Sequence, residues 1–180
     1  VRHEVSQSSF WQSNVTAPRV LVNAVLEYAE IKNGEHILDL YGGVGLFAGA
    51  FIEGVGPGGR IDLVEANVSA TSDAARNFGD NSVVRIHTGD VLKVIKKFRR
   101  ADCIILDPPR IGAGKSVVQS ISALGARAII YVACDPAALA RDTGYLREYG
   151  YSLSSLRAFD LFPQTHHIEA IALFTPHKVS

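Results

Sequence analysis

The chain has 180 residues, 47% of them hydrophobic and 20% charged, and its 18 lysines and arginines balance 18 aspartates and glutamates. That length and balance suit one domain with a single core and carry no disorder signature. Zero net charge argues against a self-sufficient nucleic-acid binder and leaves room only for a local basic rim.

No apolar run approaches the roughly 18 residues of a membrane span, and neither a span nor a signal peptide is expected. Two cysteines, Cys103 and Cys134, are too few for a disulfide framework and point to a reducing, cytoplasmic setting. The chain starts at Val1 and holds no methionine, so a processed or excised piece of a longer product is expected.

Residues 1–14 are polar until Phe10-Trp11-Gln12-Ser13-Asn14, where adjacent aromatics mark a docking arm that either caps a sheet or meets a ligand. Val20, Leu21, Ala24, Val25 and Tyr28 then follow helical spacing, with Thr16 as N-cap, Pro18 in the first turn and Asn33-Gly34 as the stop. Residues 37–48, ILDLYGGVGLFA, are the centre of the chain: a buried strand, a glycine turn and a helix start. Free N–H groups at such a helix start face whatever lies above the strand's carboxyl end. Gly43, Gly45 and Leu46 fall inside a G-x-G-x-x-A pattern, with Glu65 about twenty residues on where a ribose-binding acid belongs. A nicotinamide dinucleotide and S-adenosylmethionine satisfy these parts equally.

The helix of this loop, residues 46–53, ends in the glycine-rich turn 54–59, and strand 61–65 follows. Helix 69–78, strand 83–87, a helix through Phe98, strand 102–106, helix 117–124, strand 128–133 and helix 136–149 come next. Segments 151–162 and 168–174 read as two closing strands. Strands alternating with helices demand a mostly parallel α/β sheet with helices on both faces, here of seven strands with one antiparallel edge. Ligands bind such sheets outside the carboxyl ends of the strands. Tyr41, Glu65, Asp90, Asp107 and Cys134 each lie just past a predicted strand, which collects them at one edge.

Asp107-Pro108-Pro109-Arg110 separates the two cofactors. Paired prolines cannot sit in a central strand, so they fix a rigid exit that holds the carboxylate in the cleft; a nicotinamide domain has no need of this. Cys134 ends a strand and precedes a helix start, whose dipole favours a thiolate suited to covalent catalysis, whereas Cys103 lies inside a strand and reads as core. In FPQTHHIEA, His166 and His167 point to opposite faces of a strand, so no metal site is expected. Glu169 opens an apolar strand, where an idle carboxylate would be costly to bury, and is the candidate base.

Phe10–Asn14, the LDLYGGVG loop, DPPR, YVACDP and FPQTHHIE stand in the order found in the RNA 5-methyluridine methyltransferases, and over nearly its whole length the chain resembles that family. The resemblance implies a Rossmann-like class I methyltransferase fold and S-adenosylmethionine as cofactor, with Gln12, Tyr41, Gly43, Gly45, Leu46, Glu65, Asp90 and Asp107 lining the cofactor and base cleft. It further implies Cys134 as nucleophile, Glu169 as proton acceptor and Asp107 as an aid to catalysis. The partner would be transfer or ribosomal RNA, and a monomer is expected. Residues 1–180 would be the catalytic domain alone, with residues 1–16 an arm and an upstream RNA-binding region missing. Family loops often carry cysteine where Gly42 stands, a departure not expected to disturb binding. A cytosine-5 RNA methyltransferase and a nicotinamide-dependent oxidoreductase are the rivals. The first usually places a second cysteine after its fourth-strand proline, where this chain has Pro109-Arg110; the second leaves Cys134, Glu169 and the double proline idle.

Overall fold

The computed structural model describes residues 17–160 and 168–177. Its elements are α1 (Ala17–Ala29), β1 (His36–Leu40), α2 (Leu46–Val55), β2 (Arg60–Glu65), α3 (Val68–Phe78), β3 (Val84–Thr88) and α4 (Val91–Ile95). Then follow β4 (Cys103–Leu106), α5 (Gly114–Ser122), β5 (Ala128–Ala133), α6 (Pro136–Glu148), β6 (Tyr151–Phe159) and β7 (Glu169–Pro176). β4 and β5 are buried at every position. They read as unbroken apolar runs because parallel central strands are covered on both faces. Alternation along the strands splits the core in two: Ile37, Leu63, Cys103 and Ile105 cluster with α1, α2 and α3, and Leu38, Leu40, Ile104 and Tyr131 with α4, α5 and α6. Cys103 is core, as expected, and burial pushes its thiol up to about 12.

The seven strands stand in the order β3-β2-β1-β4-β5-β7-β6. β1 to β5 run parallel, and β7 is antiparallel to both of its neighbours. The antiparallel pairings are thus confined to one side, but the reversed strand lies inside β6 and not at the rim. Burial decides this: Ala170, Ile171, Ala172 and Phe174 of β7 are covered, whereas most of β6 is exposed. Strand order reverses between β1 and β4, where Leu40 pairs with Leu106. The ligand crevice of such a sheet lies above that point.

Asn67, Asp90 and Asp135 cap α3, α4 and α6 with their own side chains. α2 and α5 have no local cap. Asp39 reaches forward to accept the Ala48 N–H at 2.9 Å, and Asp142 of α6 accepts the Ala113 and Gly114 N–H groups at 2.8 and 3.1 Å. That distant cap starts α5 at Gly114, three residues before the expected position. α4 stops at Ile95, short of Phe98, because Lys97 and Phe98 donate three residues back to Val94 and Ile95. Toward the amino ends of the strands, Asp62 is fully buried and accepts from Arg60 and, at 2.6 Å each, from His36 and His87. Burial raises its carboxyl, but these donors outweigh that and hold it down at about 2. No helix among the described residues is long and apolar enough to cross a membrane.

Candidate active site

The chain leaves β1 through Tyr41, whose φ of 60° is a left-handed value that bulky residues seldom adopt. Gly43 and Gly45 follow with φ of 54° and 94°. A Cβ at Gly43 would meet nothing within 4 Å, whereas one at Gly45 would lie 2.4 Å from the Phe78 ring. Gly43 therefore faces open space and Gly45 faces the core. A Cβ at Gly42 would fall 2.8 Å from the Leu63 side chain, so in this chain a cysteine there requires Leu63 to move.

Glu65 closes the loop. Its Oε2 accepts the Gly43 N–H at 3.1 Å and its Oε1 the Asn67 N–H at 2.7 Å. Asn77 adds a bond to the Val44 carbonyl at 3.2 Å. Leu46 is half-buried against the α1–α3 core. Beside the loop opens a cleft of about 340 Å³ whose walls include Tyr41, Ala66, Asp90, Leu92, Ala113 and Lys115. Burial, then Asp90 and Asp142, push the Tyr41 hydroxyl up to about 12. Gln12, His166 and His167, together with the Phe10-Trp11 pair and Thr16, lie outside the described residues.

Asp107, Cys134 and Glu169 converge on the same edge. The β5–β7 register pairs Ala133 with Ala170, which puts the next residues along, Cys134 and Glu169, side by side. Asp107 leaves β4 with its N–H on the Leu40 carbonyl at 3.3 Å. Burial pushes its carboxyl up to about 8, with Glu169 and then Asp39 adding to the shift. Burial likewise raises Glu169, against the pull of Arg110. For Cys134, burial comes first and the Glu169 and Asp107 carboxylates next, and the thiol is raised above its ordinary value. Burial and the Glu169 and Asp107 carboxyls thus act on the Cys134 thiol in the direction opposite to that expected of the α6 start.

Two residues that sequence reasoning passed over organise this edge. Asp39 is fully buried; burial, helped by Glu65 and opposed by the Ala48 N–H, pushes its carboxyl up to about 7. Asp142 is fully buried on α6 and accepts the Tyr131 hydroxyl at 2.8 Å besides capping α5. Its neighbour Arg141 donates to the Ile111 carbonyl at 2.7 Å. Gly112 passes beneath, where a Cβ would lie 2.5 Å from Arg141 and 2.7 Å from Asp142. The loop is therefore pinned between the Cys134 crevice, lined by Pro108 and Pro109, and the larger cleft lined by Ala113 and Lys115. An acid buried inside an amphipathic helix was the available signal.

The family model for tRNA (uracil-5-)-methyltransferase matches residues 1–176. The chain belongs to that family. An uncharacterized RNA methyltransferase of Streptomyces avermitilis is 47% identical over 176 residues, covering 97% of this chain and 41% of the relative. The Pyrococcus abyssi tRNA (uracil-54, C5)-methyltransferase, solved in complex with S-adenosyl-L-homocysteine, superposes with a TM-score of 0.79 at 31% identity, over 93% of this chain and 40% of that one. The precorrin-6y C5,15-methyltransferase of Geobacter metallireducens, at 12% identity and a TM-score of 0.75 over 97% of this chain and 94% of that one, shares the fold alone. The fold is the class I methyltransferase fold, and S-adenosylmethionine is the cofactor of the family, which sets the nicotinamide reading aside. The chain spans about two fifths of the length of the curated relatives it matches.

Proposed function

We propose that these 180 residues are the catalytic domain of an enzyme that methylates the 5-position of a uridine in RNA through a covalent adduct with Cys134. The observation that carries this reading is the register that sets Cys134 beside Glu169 at the carboxyl edge, with Asp107 electrostatically coupled to both. The edge also fits the cofactor. Gly43 presents open space, Glu65 and Asp90 supply acceptors for ribose and base, and the acid-rich rim complements a sulfonium cation. Tyr41, Glu65, Asp90 and the Gly43 backbone would hold it, and when bound it supplies an electrophilic methyl group.

Carbon 5 of uracil is a weak nucleophile. Cys134, once deprotonated, adds its sulfur to carbon 6 and drives the ring electrons toward carbon 5 and the adjacent carbonyl oxygen. Asp107 is largely protonated at neutral pH and offers a hydrogen-bond donor where that charge develops. After methylation Glu169 takes the proton from carbon 5, its raised pKa making it a stronger base, and the carbon–sulfur bond breaks to release Cys134. A uridine within folded RNA must leave its stack to reach this edge.

Denaturing gel electrophoresis with labelled RNA and cofactor tests the assignment. In a protein that also carries an RNA-binding region, Cys134→Ala should leave no protein–RNA species, whereas Glu169→Gln should accumulate one carrying methylated RNA, because addition proceeds and elimination stalls. Cys103→Ala should behave as wild type. An adduct persisting in Cys134→Ala would refute the mechanism, and methylcytidine in the product would favour the cytosine-5 rival.

A further inference from the structure

Charge in this neutral chain is segregated. Residues 85–100 hold Arg85, Lys93, Lys96, Lys97, Arg99 and Arg100 against Asp90 alone, so the remainder carries the matching acid excess. Elsewhere among the described residues Arg60, Arg76, Lys115, Arg127, Arg141 and Arg157 each pair with a carboxylate. Arg19, Lys32 and Arg147 do not, and they are scattered along the chain rather than adjacent. In the basic run Arg100 pairs with Asp102. Among the described residues Lys93, Lys96, Lys97 and Arg99 have no ion-pair partner, and all four are exposed.

Their arrangement follows from the fold. Val91, Val94 and Ile95 turn inward to the core, and Phe98 packs edge-on against His36 and His87. The intervening Lys93, Lys96 and Lys97 are thereby forced onto one outward stripe at i, i+3 and i+4 spacing, and Arg99 extends it. Like charges at this spacing repel, and the negative end of a five-residue helix accommodates a lysine or two without requiring four cations. Asp90 and Leu92, at the head of the same element, line the 340 Å³ cleft. The stripe therefore starts one residue from the cleft and runs down the flank of the sheet toward the start of β4.

We propose that Lys93, Lys96, Lys97 and Arg99 form a phosphate-tracking ridge that holds the backbone of the substrate RNA while the target base enters the cleft. The proposal rests on the RNA reading given above. Unpaired cations in a row, with no aromatic or carboxamide side chain exposed among them, suit sequence-independent contact with phosphates; such contacts position a nucleic acid without reading it.

The test combines Lys93→Gln, Lys96→Gln, Lys97→Gln and Arg99→Gln in the full chain and measures binding of an unmodified tRNA transcript across a salt series. Each lost phosphate contact removes about 0.7–0.9 from the slope of log K against log salt, so the slope should fall by about 3–4. Lys96→Gln with Lys97→Gln alone should remove about half of that, and Lys96→Arg with Lys97→Arg should remove none. S-adenosylhomocysteine affinity should be unchanged in all three. An unaltered slope and affinity for the transcript would overturn the ridge, as would loss of polyglutamate binding with RNA binding intact. A reduced slope in a protein that methylates no RNA even with an RNA-binding region attached would keep the ridge and sink the proposed activity; a normal slope with methylation retained would do the reverse.

Discussion

Removing the Asp142 carboxylate should loosen the loop that joins the two halves of the site. The Tyr131 hydroxyl, the Ala113 N–H and the Gly114 N–H all depend on Oδ2, and Arg141 leans on Oδ1. In Asp142→Ala, Ala113 keeps the Tyr131 oxygen at 3.1 Å, so the buried Tyr131 hydroxyl and the half-buried Gly114 N–H lose their partner outright. At about 1–3 kcal/mol for the buried hydroxyl, less for the half-buried N–H and little for the part-exposed Arg141, the loss is about 2–4 kcal/mol. Asp142→Asn keeps one acceptor and should cost about 1–3 kcal/mol, and Tyr131→Phe about 1 kcal/mol. Urea unfolding measures each, and the double variant Asp142→Asn with Tyr131→Phe should lose less than the sum because the two share a bond. Since Ala113 lines the cleft, calorimetry should also show S-adenosylhomocysteine binding weakened about tenfold in Asp142→Asn. Full additivity together with unchanged ligand affinity would refute the account of this loop.

The two loop glycines should separate. Gly43→Ala should fold at a cost of about 1–2 kcal/mol for its left-handed φ and lose ligand affinity, whereas Gly45→Ala should lose much more stability because its Cβ meets Phe78; thermal melts with and without ligand read both. Asp107 gives a pH signature: its folded pKa is raised to about 8 from 3.8, so the stability it contributes is full below about 4 and is lost as pH rises through 8. Asp107→Asn should flatten that decline in urea titrations and make the free protein more stable than wild type at pH 9, with a residual slope left by Asp39; an unchanged pH profile would count against it. Iodoacetamide should modify Cys134 ever faster as pH rises past 9 and leave Cys103 untouched until unfolding, and a plateau below pH 8 would show that the thiolate is favoured after all.

What the sequence disclosed was what neighbours in sequence determine. The strand–helix alternation, the glycine turn and the five polar residues past strand ends all follow from local pattern, and Tyr41 and Asp90 duly meet at one cleft. Contacts between distant segments were hidden. Asp142 reaches the start of α5 from 29 residues away, so α5 was placed late. Glu169 and Asp107 raise the Cys134 thiol from two other strands, which local reasoning about a helix start could not weigh. The place of β7 inside β6 depends on comparing two distant strands, the apolar run 170–174 of β7 against the polar-interrupted β6.

The sheet answers protons in opposite senses at its two ends. Asp62, held down at about 2, adds stability that is complete above about pH 4 and is lost only as pH falls toward 2. Asp39, Asp107 and Glu169, all raised, draw on the same fold as the solution becomes neutral. One end is thus a lasting anchor, whereas at the other, burial makes each ionisation of Asp39, Asp107 or Glu169 a cost that the fold bears as pH rises. A positively charged ligand at that edge would supply a counter-charge to these carboxyls, so its binding and their ionisation would favour each other.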